Sequence, residues 1–151
     1  MDQHVSDKSI ISLAPWFETP AGAYARAWEQ TRLDELTADI FGYNAVQVGL
    51  PQIDALAANR MANRWVTDTA HCADPSARAI TVVHDFAELP FAAQSLDLVV
   101  LPHVLEFAAE PHQVLREVER VLIPEGQVII CGFNPVSMWG MRQVAGRVTG
   151  A

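Results

Sequence analysis

Cations are scarce in this chain. Lysine occurs once, at Lys8, and the nine arginines are spread singly against 18 acidic residues, giving a formal charge of −8. A protein built to hold nucleic acid clusters Lys and Arg to neutralise phosphates, so an RNA or DNA partner is disfavoured. Cysteine is nearly absent: Cys72 and Cys131 are too few and too irregularly placed for a disulfide framework or a zinc site. Cys131 falls in a strand-like run and reads as a small buried apolar residue, while Cys72 falls in a loop with nothing nearby to activate it. No apolar stretch approaches the ~20 residues of a membrane span. The opening residues MDQHVSDKS lack the charged-then-apolar order of a signal peptide. We therefore expect no membrane partner and a cytoplasmic location. A chain of 151 residues, 50% of them hydrophobic, can bury one core, which suggests a single domain over 19–151 behind an N-terminal extension, 1–18.

What the chain does contain is parallel-sheet character. Three apolar, β-branched runs, Ala79–Val83, Leu96–Leu101 and Gln127–Cys131, do not alternate polar with apolar residues and read as strands buried on both faces. Within Pro111–Leu122, Val114, Leu115, Val118, Val121 and Leu122 form one apolar stripe on a helix. Pro111 suits the first helical position because its missing N–H would have no partner there, and Pro124-Glu125-Gly126 supplies a stop and a turn. Strand, helix and strand with a crossover make a right-handed parallel βαβ unit. The fold class is α/β, a parallel sheet flanked by helices.

Upstream, Thr19 can cap a helix beginning at Pro20, with Tyr24, Trp28, Leu33, Leu36, Ile40 and Phe41 as an approximate stripe up to Gly42. Aromatic residues at that spacing usually mean core. Trp16 and Phe17 precede the cap, where they could fold over the sheet edge. Tyr43–Leu50 reads as the first strand, Ile53–Met61 as a short helix and Arg64–Thr69 as the second strand. The segment 70–78 is short for a helical crossover. His84 alternates away from Asp85 and reads as packed. Asp97 opens a strand at its amino end and reads as a helix or loop contact. Glu117 and Arg120 can pair as helix-surface support, worth ~0.2–0.5 kcal/mol.

Asp85 just past a strand, Glu88-Leu89-Pro90-Phe91, Ser95-Leu96-Asp97-Leu98-Val99, Leu115-Arg116-Glu117-Val118, Arg120-Val121-Leu122 and Pro124-Glu125-Gly126 follow one another ahead of an apolar strand. This series resembles the class I S-adenosylmethionine-dependent methyltransferases, in particular the small-molecule, methyltransferase type 11-like group, and covers about a third of the chain. The resemblance implies a Rossmann-like fold, S-adenosylmethionine as cofactor and a small-molecule methyl acceptor. It also implies roles for single residues. The family's first strand ends in an acid followed by a GxGxG loop; here Gln47 stands in the acid's place, Gly49 is the first glycine, and Pro51 and Ile53 take the other two places. Glycines permit a tight turn and close approach, whereas Pro fixes φ and Ile is hindered at positive φ, so this motif is degenerate. Asp68 falls where the family's ribose-binding acid stands, Asp85 where the adenine amino group is accepted, and Phe86 beside the ring. Leu101 and Pro102 fall where the backbone contacts the cofactor, and His103 and Glu106 face the acceptor, as a general base or as orienting groups. Methyl transfer can also proceed by in-line positioning without a base, and a lone loop histidine is commonly structural.

Past Phe133, Asn134-Pro135 breaks the strand and Ser137–Val148, with Met138, Met141, Val144, Ala145 and Val148, reads as a last helix. The family's closing antiparallel strands then have no counterpart. That leaves Gln127–Cys131 at an unpaired edge and fits two resolutions, a fragment of a longer protein or an edge that another subunit pairs; we favour a fold truncated at its C-terminus whose edge a second copy pairs as a homo-oligomer. Two functions stand against each other: a methyltransferase, supported by Asp85 and the Leu89-Pro90-Phe91 segment, and a non-catalytic oligomeric or regulatory subunit, supported by Gln47, Pro51 and Ile53. A nucleotide or dehydrogenase domain is weaker, because it too needs a Gly-rich first turn.

Overall fold

The computed structural model describes residue 16 and residues 18–68, 82–83, 85–106, 108–133 and 141–147. Residues 1–15 of the extension, Phe17, the 70–78 connection with Cys72, and His84 lie outside the described residues. Strands β1 (Asn44–Val48), β2 (Asn63–Asp68), β3 (Val82–Val83), β4 (Leu96–Pro102), β5 (Leu122–Phe133) and β6 (Met141–Arg147) form one sheet in the order β3-β2-β1-β4-β5-β6. The first five are parallel, and β6 runs antiparallel to β5. Two helices are described, α1 (Pro20–Ala38) and α2 (Pro111–Val121).

The strands that lack alternation are buried on both sides, as that pattern demands. Ala45, Leu98, Val100, Ile129 and Cys131 pack on one face with Leu33 and Ile40 and with the turns carrying Ile53, Leu56 and Met61. Val46, Val48, Val99, Leu101 and Val128 pack on the other with Val114, Val118 and Val121 of α2 and with Phe86 and Leu89. Helix α2 stops at Val121, and Pro124-Glu125-Gly126 forms an irregularity inside β5, between the pairs Leu96↔Leu122 and Leu98↔Gln127.

Three expectations are corrected. Residues 53–61 form turns instead of a helix. Carbonyls that a helix would bond to its own N–H groups are taken by side chains: Gln47 Nε2 donates to the oxygens of Leu50 and Ile53, and Arg64 to those of Asn59 and Leu56. Helix α1 is capped by Thr19, whose Oγ1 accepts from Gly22 N at 3.1 Å, but it turns a different face inward. Gly22, Glu29, Leu33 and Thr37 are buried, while Tyr24 is 78% exposed and Trp28 41%. Lastly, Met141–Arg147 is strand β6, not helix, paired with β5 from Gln127↔Arg147 to Phe133↔Met141. An edge strand's unpaired N–H and C=O groups outweigh a weak helical spacing. The β5 edge is therefore closed by this chain itself and is not the seam for a second copy; among the described residues the sheet has six strands, where the resemblance implies seven.

Asp97 serves the backbone, as its place at the strand's amino end implies: Oδ2 accepts from Tyr43 N and Asn44 N at 3.0 and 2.9 Å. A Cβ at Gly42 would lie 2.5 Å from the Asp97 Cγ, so only glycine fits beside that carboxylate. Arg120 does more than support a surface. Paired with Glu117, it donates to the Leu89 and Phe91 oxygens at 2.9 Å each, and Glu117 accepts from Leu89 N at 3.3 Å, clasping the Leu89-Pro90-Phe91 segment to α2. Arg120→Ala should cost about 1–2 kcal/mol in urea unfolding, and Arg120→Lys should recover only part of it, because an ammonium lacks the fork that spans both carbonyls. Full recovery by lysine would refute the clasp.

Candidate functional site

The strand order reverses between β1 and β4, and in open α/β sheets the crevice at the carboxyl ends of such a pair is where ligands bind. The loops leaving β1 and β4 are both tightly turned. Gly49, Leu50 and His103 have φ of 81°, 49° and 57°, a region costly for residues that carry a Cβ.

The β1 loop is held from beneath by Gln47, whose side chain is fully buried. Its Nε2 lies 2.9–3.0 Å from the Gly49, Leu50 and Ile53 oxygens, and its Oε1 accepts from Ala55 N at 2.9 Å. An amide can do both, because it carries donors and an acceptor; a carboxylate in the same place could only accept. Leu50 and Ile53 are buried in the core as a result. From above, α1 grips the same loop through Arg26 Nη2 to the Gln52 oxygen at 2.6 Å and Gln30 Nε2 to the Asp54 oxygen at 2.7 Å. Gly49 is required by its φ and by close approach alike: a Cβ there would lie 3.1 Å from Phe86 Cζ and 3.3 Å from Val104 Cγ2.

The β4 loop carries a buried charge cluster. His103, 2% exposed, places Nδ1 2.8 Å from Glu106 Oε1 and Nε2 2.9 Å from Oε2 of Glu29, which is fully buried on α1. Burial alone would lower the His103 pKa, but the hydrogen bonds and charges of Glu106 and Glu29 outweigh it and raise the value to about 9. The Glu106 carboxylate lies over the end of β5, with Oε1 2.9 Å from where a Cβ would sit on Gly132. The Cys131 thiol is pushed up by burial, with the charge of Glu29 and a hydrogen bond to it adding to the shift.

The structure thus brings together several residues singled out from the sequence. His103 and Glu106 are bonded to each other. Gly49 and Phe86 are in contact distance, so Phe86 packs on the loop glycine. Asp68 ends β2, opposite Val83, and Asp85 is exposed just past β3, its Oδ1 accepting from Ala87 N at 3.0 Å. Leu101 is fully buried on the α2 face, which leaves only its backbone at the strand end for a ligand, and Pro102 is paired opposite Cys131. Both ring nitrogens of His103 lie within hydrogen-bond distance of a carboxyl oxygen, Nδ1 of Glu106 and Nε2 of Glu29. Sequence reasoning missed Glu29, Arg26 and Gln30. The available signal was Glu29 itself, one turn before Leu33 and so on the same helical face.

Among the described residues no group of three or more His, Cys, Asp or Glu is placed to hold a metal ion, and no helix is long and apolar enough to cross a membrane. Residues 21–130 match the family of the methyltransferase domain. The Escherichia coli K12 protein YafS is 30% identical over 139 residues, covering 91% of this chain and 55% of YafS. Among solved structures, a SAM-dependent methyltransferase of Thermotoga maritima, a possible histamine N-methyltransferase, matches with a TM-score of 0.60 at 15% identity, over 87% of this chain and 61% of that one. The trans-methyltransferase CalH in complex with SAH matches with a TM-score of 0.58 at 15% identity, over 83% of this chain and 43% of CalH. At these identities the structural likeness is one of fold, and the chain spans 43–61% of the length of these three proteins.

Proposed function

The chain belongs to the methyltransferase-domain family, and from that premise we propose that it binds S-adenosylmethionine in the crevice between β1 and β4 and transfers the methyl group to a small-molecule acceptor. The observation that carries this reading is the convergence of two loops on Gly49 of the β1 loop: Phe86 from the loop after β3 and Val104 from the loop after β4 both close on it. Asp68 and Asp85 flank that convergence from the carboxyl ends of neighbouring strands, and carboxylates there suit donors such as ribose hydroxyls and an adenine amino group. The residues present fit the nucleoside end of the cofactor. Toward its amino-acid end, Gly49 and the backbone at Leu101 and Pro102 are the groups in reach of the crevice. When bound, the cofactor supplies an electrophilic methyl on a sulfonium.

On the acceptor side, Glu106 is the group that accepts a hydrogen bond from an incoming N–H or O–H, and His103 holds it in place. Orientation of this kind can account for a large part of a displacement barrier without a strong base. The charge of −8 and the lack of a basic run favour a small acceptor over nucleic acid.

A second reading has its own observation. Gln47 Nε2 shares its two N–H groups among three carbonyls of the β1 loop, drawing the loop onto the core; a loop so fixed fits a subunit that keeps the fold and has given up the cofactor. Calorimetric titration with S-adenosylmethionine and S-adenosylhomocysteine separates the two. The enzyme reading expects saturable binding, weakened about tenfold to a hundredfold by Asp85→Ala through loss of a hydrogen-bond acceptor worth about 1–3 kcal/mol. No heat at millimolar ligand would favour the non-catalytic subunit, and unchanged affinity in the variant would remove Asp85 from the site.

A further inference from the structure

Glu29 is a puzzle in a packing helix. It is fully buried, faces the sheet with Leu33, and lies 74 positions from the histidine it meets. A carboxylate in that environment is costly unless it is paired. Its partner, His103, sits at positive φ on the loop of the switch-point crevice, so a helix charge and a strained loop residue are kept together at a cost to both. Strain of this kind concentrates at functional sites.

The geometry constrains the protons. Ionised carboxylates only accept hydrogen bonds, and both nitrogens of His103 meet one, Nδ1 at Glu106 and Nε2 at Glu29. With both carboxyls ionised, both nitrogens donate and the ring is an imidazolium. The groups facing it are Glu29 from α1, Glu106 from its own loop and, through Glu29, Cys131 from β5.

We propose that Glu29 is a positioning residue: reaching from α1 to His103 Nε2, it fixes the imidazole so that Nδ1 aims the Glu106 carboxylate across the end of β5, leaving Glu106 as the member of the trio that meets the acceptor. The last clause rests on the methyltransferase reading, whereas the positioning does not. The order of influence runs from helix to histidine to carboxylate, because Glu29 and His103 are shut from solvent while the Glu106 side chain is 25% exposed. A carboxylate held in this way suits an acceptor that offers an N–H or O–H.

The test is a pH titration of the full chain with 15N-labelled histidine, followed by NMR. In the wild type, both His103 nitrogens should be protonated at neutral pH, with a midpoint near 9. Glu29→Gln should lower the proton affinity of His103 at least tenfold and speed solvent exchange of its Nδ1 proton at least tenfold, because the ring loses the bond that fixes it. A neutral His103 in the wild type at neutral pH overturns the proposal, and that measurement stands even if the variant does not fold. So does a folded variant in which midpoint and exchange are both unmoved, the result expected if Glu29 served packing alone. Calorimetry with S-adenosylhomocysteine on the same samples keeps the two ideas apart: no binding in the wild type sinks the methyltransferase reading and leaves the positioning result intact.

Discussion

Gln47→Leu is expected to destabilise the chain by about 3–4 kcal/mol, read as a shift of the urea midpoint at constant slope. Leucine fills the volume but bonds nothing. Ala55 N and the Gly49 and Ile53 oxygens each lose their bond to Gln47, while the Leu50 oxygen keeps its bond from Ile53 N. A buried polar group left without a partner costs about 1–3 kcal/mol, and partial relaxation of the loop brings the sum below full additivity. Gln47→Glu should also destabilise, for a different reason: it keeps the acceptor for Ala55 N and turns a buried carboxylate toward carbonyl oxygens. A loss under about 1 kcal/mol in the leucine variant would mean that Arg26 and Gln30, gripping the loop from α1, suffice to hold it.

Alkaline pH is expected to remove on the order of 3 kcal/mol of stability, the linkage equivalent of moving His103 from its ordinary 6.5 to about 9 in the folded chain. The sign follows from which state holds the proton. The folded protein binds it more tightly than the unfolded chain, so the contribution is complete below about pH 6.5, declines as pH rises, and is gone above about 9. Cys131 works in the same direction at higher pH, because its folded thiol stays protonated where the unfolded one ionises. Urea unfolding at fixed ionic strength across this range measures the effect, and His103→Gln should flatten the part of the curve below pH 9. A flat wild-type curve would show that His103 is not charged in the folded protein.

Much of the scaffold was legible because burial on both faces leaves a mark in composition. Leu96–Leu101 and the Val114, Val118, Val121 stripe could only be a covered strand and a helix face, and they are. The cap at Thr19 and the stop after Val121 were legible for local reasons, a hydroxyl before Pro20 and a Pro-Glu-Gly run. The misreadings share one cause. At 53–61 and 141–147 the local spacing suggested helices, yet in the first case side chains of Gln47 and Arg64 take the carbonyls, and in the second a neighbouring strand offers an open ladder. Neither competitor is adjacent in sequence.

The candidate site divides in the same way. The sequence by itself determined which residues stand at the strand ends, Gly49, Asp68, Asp85, Pro102, His103 and Glu106, because a strand's carboxyl end is fixed by where its apolar run stops. Only the tertiary structure decided what those residues can do. That His103 lies between two carboxyl groups depends on Glu29, brought by α1 from 74 positions away, and that the β1 loop is drawn inward depends on one amide meeting three carbonyls. Protonation and loop shape are set by partners in space, since hydrogen bonds and charge act over a few ångströms whatever the separation along the chain.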